Sequence, residues 1–411
     1  MKKNLFCFLL IAAVFSTCRT EDDAAPAKES TFIRYFGPEY NADAVMAIQA
    51  GQGFTLVSTV TRSLATGTNT QIKLTRTDLY GNFLWETNFP NSFDTPGGME
   101  ASSIIPLSAE ENVDPGYLII GDLIKDDGFR DLLLLFISPT GSMDELKTIP
   151  APENSSLQGS AVHRDNAGNL FVLGNVPGKE QMYVAKLSGQ DLTFKWQKFL
   201  PSSGSIDLNT KLYVNASNQD TTLLWGGSWL STSTNKHDPV LLRIGPNSEV
   251  PQWGNQIGDQ SVDEESADLC SAVGGWALTG KSVDTSGEEN TFVTKVSNGA
   301  QPTVIFEKIL DFFPAQNDYG NSICRANDGG LMVLGTVTTA EYGDDLFVTK
   351  LNDAGVSEWT SPSYFTYGSS DNQLAASIAP VSDGGYIVFG TNSFSDEKKL
   401  ILIKLNRDGK L

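Results

Sequence analysis

The sequence predicts an all-β fold, a seven-bladed β-propeller with four-stranded blades, its ring closed by the N-terminal strand joining the C-terminal blade. Three observations predict it. A short apolar strand recurs seven times, opening at Phe54, Tyr117, Leu170, Thr222, Trp276, Leu331 and Tyr386, with spacings of 63, 53, 52, 54, 55 and 55 residues. Each copy reads as four short runs rich in Val, Ile, Leu and aromatics and bounded by Gly, Asp, Asn and Ser. Four antiparallel strands repeated at roughly 40–55 residues have the period of propeller blades. The last copy stops after three strands, and its missing piece stands at the other end of the chain as FIRYFG (Phe32–Gly37). A divided repeat points to a closed ring, because one sheet cannot bury both faces alone and packing around an axis does so. A β-helix or a tandem of sandwiches has a shorter or much longer period and leaves the division unexplained.

Each element follows from its own pattern. The second strand of a copy opens on the aligned apolar residue and reaches a small residue four positions on: Ser58, Gly121, Gly174, Gly226, Gly280, Gly335 and Gly390. The third strands are QIKLTRT, DLLLLFIS, MYVAKLS, PVLLRIG, TFVTKVS, LFVTKLN and LILIKLN. A turn and a fourth strand follow, carrying Trp85, Trp196, Trp253, Phe306 or Trp359, with Phe32 in that place for the last copy. The second copy departs, since SMDELKTIP has no aromatic there. DGG, DAG, NAG and RDG supply residues that tolerate the positive φ of tight hairpins. No stretch sustains an apolar period of 3.6, so no helix is expected after the leader. Length alone suggests two or three domains, but the evenly spread repeat and the absence of a composition shift argue for one ring.

The domains expected are a signal peptide over 1–17, a lipidated tether over 18–30, and the propeller over 31–411, its last blade completed by 32–37. Lys2 and Lys3 precede an apolar run, Leu5–Phe15, that is too short to span a bilayer. The run ends in FSTC (Phe15–Cys18), followed by a polar segment without a core pattern. This resembles a bacterial lipoprotein signal, which implies cleavage before Cys18, its lipidation, and attachment to the membrane through two or three acyl chains. Phe15 and Thr17 depart from the usual residues of that signal, and the alternative is an ordinary signal peptide with an incidental cysteine. Arg19 stands where an inner-membrane retention signal would place Asp. Glu21, Asp22 and Asp23 resemble an acidic surface-export cluster and read equally as a solvated tether.

Charge narrows the partners. Lys and Arg total 29 against 49 Asp and Glu, a net charge of −20, and loss of Lys2 and Lys3 takes it to −22. That excludes a nucleic-acid partner and electrostatic adhesion to anionic lipid. Of four cysteines, Cys270 and Cys324 fall at nearly the same place in adjacent inner strands and read as buried free thiols, with a disulfide as the alternative.

Chemistry is sparse. No HExxH, paired CxxC, GxSxG, Walker loop or dinucleotide fingerprint is present, so no cofactor, metal or catalytic residue is assigned. His163 falls in an inner strand (SAVHRD) and could project into the channel; His237 sits in a polar loop. The connections into each first strand hold Glu39, Asp43, Asp94, Glu153, Asp207, Asp263 with Glu264 and Glu265, Asp318 and Asp371. They give an acidic channel mouth that attracts a cation or an amine, or they are wet turn residues. Asp263, Asp318, Asp371 and His163 form the candidate ligand-facing rim.

The run DGGYIVFGTNS, followed by LILIKLNRDG, resembles the propeller repeats of Bacteroidetes-type lipid-anchored envelope proteins along essentially the whole mature chain. The resemblance implies fold and cell envelope, with no shared catalytic residues. The function expected is a non-catalytic outer-membrane lipoprotein, periplasmic or surface-facing, whose propeller binds a glycan or another envelope protein. The second reading is a carbohydrate-active hydrolase or lyase using the acidic channel mouth.

Overall fold

A computed structural model describes residues 31–411 except 38–40, 65–66, 91–97, 109–113, 166, 180, 202–204, 208–211, 218–219, 231–233, 245–252, 259–260, 300–301, 340–342, 361, 369–370 and 395–396. Side chains are further excluded at 64, 67–68, 201, 205–207, 212–217, 220–225, 244, 253–255 and 394.

Strand β1 (Phe32–Phe36) precedes the first complete blade, β2 (Asn41–Ala50), β3 (Gly53–Leu64), β4 (Gly67–Asp78) and β5 (Phe83–Phe89). The second is β6 (Met99–Pro106), β7 (Tyr117–Ile124), β8 (Arg130–Ile137) and β9 (Met143–Ile149). The third is β10 (Gln158–Arg164), β11 (Leu170–Asn175), β12 (Gln181–Leu187) and β13 (Phe194–Pro201). A further sheet holds β14 (Ser205–Asp207), β15 (Leu212–Ser217), β16 (Asp220–Leu230), β17 (His237–Ile244) and β18 (Trp253–Gln256). Then come β19 (Asp263–Ala272), β20 (Gly275–Val283), β21 (Glu289–Ser297) and β22 (Val304–Leu310), and β23 (Asp318–Arg325), β24 (Leu331–Thr339), β25 (Gly343–Leu351) and β26 (Tyr364–Tyr367). The chain ends with β27 (Asn372–Pro380), β28 (Tyr386–Phe394) and β29 (Glu397–Leu405).

The expectation of seven four-stranded blades is corrected: among the described residues six sheets are four-stranded blades, not seven. The stretch assigned to copy four forms a five-stranded sheet, order β14-β16-β17-β18, with β15 also paired to β16. The cause is local. β14 pairs with Ser228–Leu230 and β15 with Asp220–Trp225, so two short strands share the length of β16 where other blades lay one continuous inner strand.

β1 pairs antiparallel with β29, Phe32 opposite Lys404, and completes the last blade. β2 packs on β27, β28 and β29, which brings the first and last blades together. Apolar burial lies between neighbouring sheets rather than within them. One cluster joins Leu118 and Leu134 to Val172 and Tyr183; another joins Phe54 and Leu56 to Phe389 and Leu402.

Two repeated devices hold the blades in register. Inner strands bulge at one place, between Ala44 and Met46, Ala101 and Ser103, Gly159 and Ala161, Ser266 and Asp268, and Ala375 and Ser377. A bulge takes an N–H out of its own ladder. Each donates to the preceding sheet: Ala44 N to Thr391 Oγ1 (2.8 Å), Ala101 N to Thr59 Oγ1 (3.2 Å), Gly159 N to Asp122 Oδ1 (2.8 Å), Ser266 N to Ser228 Oγ (2.7 Å) and Ala375 N to Thr336 Oγ1 (3.1 Å).

The second device explains the aromatic column. Phe32, Trp85 and Phe306 each lie against the turn between third and fourth strands of the next blade. A Cβ at Gly81 would stand 2.5 Å from Phe32, at Gly141 2.7 Å from Trp85, and at Gly355 2.7 Å from Phe306. In the second blade no aromatic fills the place, and the next turn carries Leu192 at φ 57 in place of a glycine, its carbonyl accepting from Lys147 Nζ at 2.8 Å. Trp359, expected in a fourth strand, precedes β26 and packs edge-on to Phe365 at 4.9 Å. Within a sheet the aromatic stands opposite a cation of the third strand: Arg76 with Trp85, Lys186 with Trp196, Lys295 with Phe306, Lys404 with Phe32. The second blade again departs, pairing Phe136 with Glu145.

Candidate functional site

The channel holds a cavity of about 270 Å³. Its wall comes from the second halves of β2, β6, β10, β23 and β27, near the turns that lead into the second strands. The wall is largely aliphatic, with Met46, Ile105, Val162, Ile323 and Ile378, and its polar members are Ser103, Ser377, His163 and Cys324. Among the described residues no carboxylate lines it. Ser377 Oγ accepts from Ala47 N (3.0 Å), so this hydroxyl joins the last blade to the first. A parallel link runs one blade earlier: Ser322 Oγ donates to Asp268 Oδ2 (2.7 Å) and accepts from Ile378 N (3.2 Å). Burial depresses the His163 pKa below its ordinary 6.5, with Asp165 acting in the opposite direction. Burial thus favours the neutral ring. Cys324 and Cys270 are buried free thiols.

The acidic residues lie at the other end of the ring. Asp263 and Asp318 open β19 and β23, and Asp371 immediately precedes β27. Six residues of strand at about 3.3 Å each place Asp318 roughly 20 Å from Cys324. His163 is likewise at the cavity end of β10. The four candidate rim residues thus do not meet in one site.

Their partners are neighbouring sheets. Asp318 is fully buried and accepts from Thr291 N (3.0 Å), Thr291 Oγ1 (2.7 Å) and Phe312 N (3.2 Å). Burial raises its pKa, against those three hydrogen bonds. Asp263 accepts from His237 N at 2.7 Å and lies 3.1 Å from His237 Nδ1. Glu265 lies 3.4 Å from Lys281, and Asp43 2.7 Å from Lys398. Asp371 is half-buried, and Glu153 is exposed.

Among the described residues no group of three or more His, Cys, Asp or Glu is arranged to hold a metal. No described helix is long and apolar enough to cross a membrane. Cys18, the leader, the tether, Glu39 and Asp94 lie outside the described residues, as does the side chain of Asp207.

Sequence reasoning missed the blade-joining acceptors, Thr59, Asp122, Ser228, Thr336 and Thr391. Their signal is an oxygen-bearing side chain one or two places after the small residue of each second strand. Asp122 also bonds Arg130 Nη1 at 2.8 Å, and burial pushes its pKa up to about 6.

No protein-family model and no curated protein matches the chain. Among solved structures it is similar to the Dos1 propeller, at 9% identity and a TM-score of 0.47, over 92% of this chain and 96% of that one. It is similar to the β-propeller domain of the Trilobed protease from Pyrococcus furiosus, at 11% identity and 0.48, over 90% and 96%. The endo-arabinase from Bacteroides thetaiotaomicron aligns at 15% identity and 0.38, over 62% and 95%. At TM-scores below one half these likenesses carry nothing about ligand or activity.

Proposed function

We propose that this chain is a non-catalytic binding module of the cell envelope, held to the membrane by lipid on Cys18. Its partner is an envelope protein that places an apolar side chain in the channel cavity. The observation that carries this reading is the separation of the cavity from the acids. A two-carboxylate hydrolase needs its pair within roughly 5–10 Å on one pocket. Here the cavity wall is aliphatic, and Asp318, Asp263 and Asp122 accept hydrogen bonds from adjoining sheets. A cavity of about 270 Å³ suits one large side chain and is small for an oligosaccharide.

The test places a photo-crosslinking residue at His163 in cells and compares it with the same chain carrying Ala161→Phe, which fills the cavity. One crosslinked protein, lost on filling, supports the reading. Hydrolysis of a glycan by the purified chain, abolished by an Asp→Asn change at the acidic end, would overturn it. For the anchor, Cys18→Ala releases the chain from the membrane fraction.

A further inference from the structure

Exposed apolar side chains are distributed unevenly between the two ends of the ring. Phe83, Leu84, Met143, Val304, Ile305 and Val356 are 49% to 56% exposed. Five of them are the first or second residues of β5, β9 and β22, and Val356 lies in the turn before β26. All six therefore stand at the end where third strands turn into fourth strands. At the opposite end Tyr35, Phe129, Phe199 and Ile309 are the comparable exposed residues among those described.

The chain leaves the ring from that same apolar end. Phe32 pairs with Lys404, one residue before β29 finishes, and Leu405 pairs with Tyr386 at the start of β28. Residues 18–30, extended, span at most about 45 Å.

Charge has the matching asymmetry. At the turn end Asp114, Asp353, Asp328 and Asp383 are each paired with a third-strand cation, Arg76, Lys295, Lys350 and Lys404. At the other end Asp126, Asp127 and Asp284 are exposed.

We infer that the end bearing the third-to-fourth-strand turns rests on a lipid surface of zwitterionic headgroups, with its apolar rim in the interface and the acidic end facing away. Singly scattered apolar residues need no partner, but a rim repeated on successive blades at the tether's own end is an interaction surface. The overall negative charge disfavours anionic lipid. The inference rests on the anchor reading for how the ring is brought to the membrane. It deepens the proposed function, because a partner for the channel cavity then approaches from the lipid side.

The test uses the full chain recovered from membranes and placed in phosphatidylcholine vesicles. Spin labels go at Leu84→Cys, Ile305→Cys and, as the control at the far end, Asp127→Cys. Seating predicts labels 84 and 305 roughly 5–10 Å into the interface by oxygen-against-nickel collision, with label 127 in water. All three labels in water would overturn the seating. The mass of the N-terminal peptide separately reports acylation of Cys18. An unacylated Cys18 removes the anchor, and the same labels read on chain mixed with vesicles still decide whether the face binds lipid.

Discussion

If the aromatic column exists to cover the next blade's turn, Gly141→Ala should couple to Trp85. Gly141 has φ 85, and a Cβ there would stand 2.7 Å from the indole. A left-handed backbone costs a side chain about 1–2 kcal/mol. Overpacking against a partly buried ring adds about 1–3 kcal/mol, for roughly 2–5 kcal/mol together. Gly128 provides the internal control: its φ is 82 and nothing lies within 4 Å of its would-be Cβ. Gly128→Ala should therefore show only the backbone cost of about 1–2 kcal/mol. In a Trp85→Leu background the cost of Gly141→Ala should fall to that same backbone share, leaving a coupling of about 1–3 kcal/mol. Urea unfolding followed by far-ultraviolet circular dichroism measures all four corners without depending on the tryptophan removed. Additivity to within about 0.5 kcal/mol, or equal costs at positions 128 and 141, would refute the packing account.

Three further outcomes are expected. Phe32 is buried and packs on Phe54 at 6.3 Å, so Phe32→Ala should cost about 3 kcal/mol in urea unfolding, whereas Tyr35→Ala on the same strand, half exposed, should cost under about 0.5 kcal/mol; equal losses would mean β1 does not close the ring. Lys404 is buried, and its Nζ bonds Asp383 (2.9 Å) and the Leu405 carbonyl (2.9 Å), so Asp383→Ala should destabilise by about 1–3 kcal/mol and Lys404→Met, which removes the buried charge, by less; the reverse order refutes the pairing argument. His163 has a folded-state pKa below 6.5, so its neutral form is the stabilised one: its contribution is complete above pH 6.5 and is lost as pH falls from 6.5 towards the folded value. NMR titration, with the resonance assigned by its disappearance in His163→Gln, should place the midpoint below 6.5; a value at or above 6.5 contradicts burial in the cavity wall.

Much of the architecture was legible because it rests on local patterns. Second and third strands announce themselves as apolar runs, and observed strands such as Tyr117–Ile124 and Gln181–Leu187 begin within a residue of the expected places. Phe32 was assignable because its place in the repeat was vacant elsewhere. The fourth copy was misread because the aligned Thr222 and third-strand PVLLRIG fit the repeat, and nothing in that pattern marks an inner strand divided into β14 and β15. The acidic mouth was harder to read for a different reason. Asp at the head of an inner strand looks the same whether it faces water or, like Asp318, reaches back to Thr291 of the preceding blade, and only the packing of one sheet on the next distinguishes them.

That ambiguity bears on what a ring of this kind can do. Asp318 and Asp122 each accept a backbone N–H from an adjoining sheet, and Asp268 accepts both the Ser322 hydroxyl and the Ile323 N–H at 2.9 Å. Turning any of them to a substrate would leave a buried donor unsatisfied, at about 1–3 kcal/mol apiece. Carboxylates are also held in pairs on shared cations, Glu100 and Asp122 on Arg130, Glu265 and Glu289 on Lys281, and Asp328 and Glu358 on Lys350. Chemistry by Asp318, Asp122 or Asp268 would therefore work against the bonds that keep the blades in register. Binding in an aliphatic channel cavity sets no such conflict, since its wall residues make their inter-blade bonds through backbone and hydroxyl groups that a ligand need not touch.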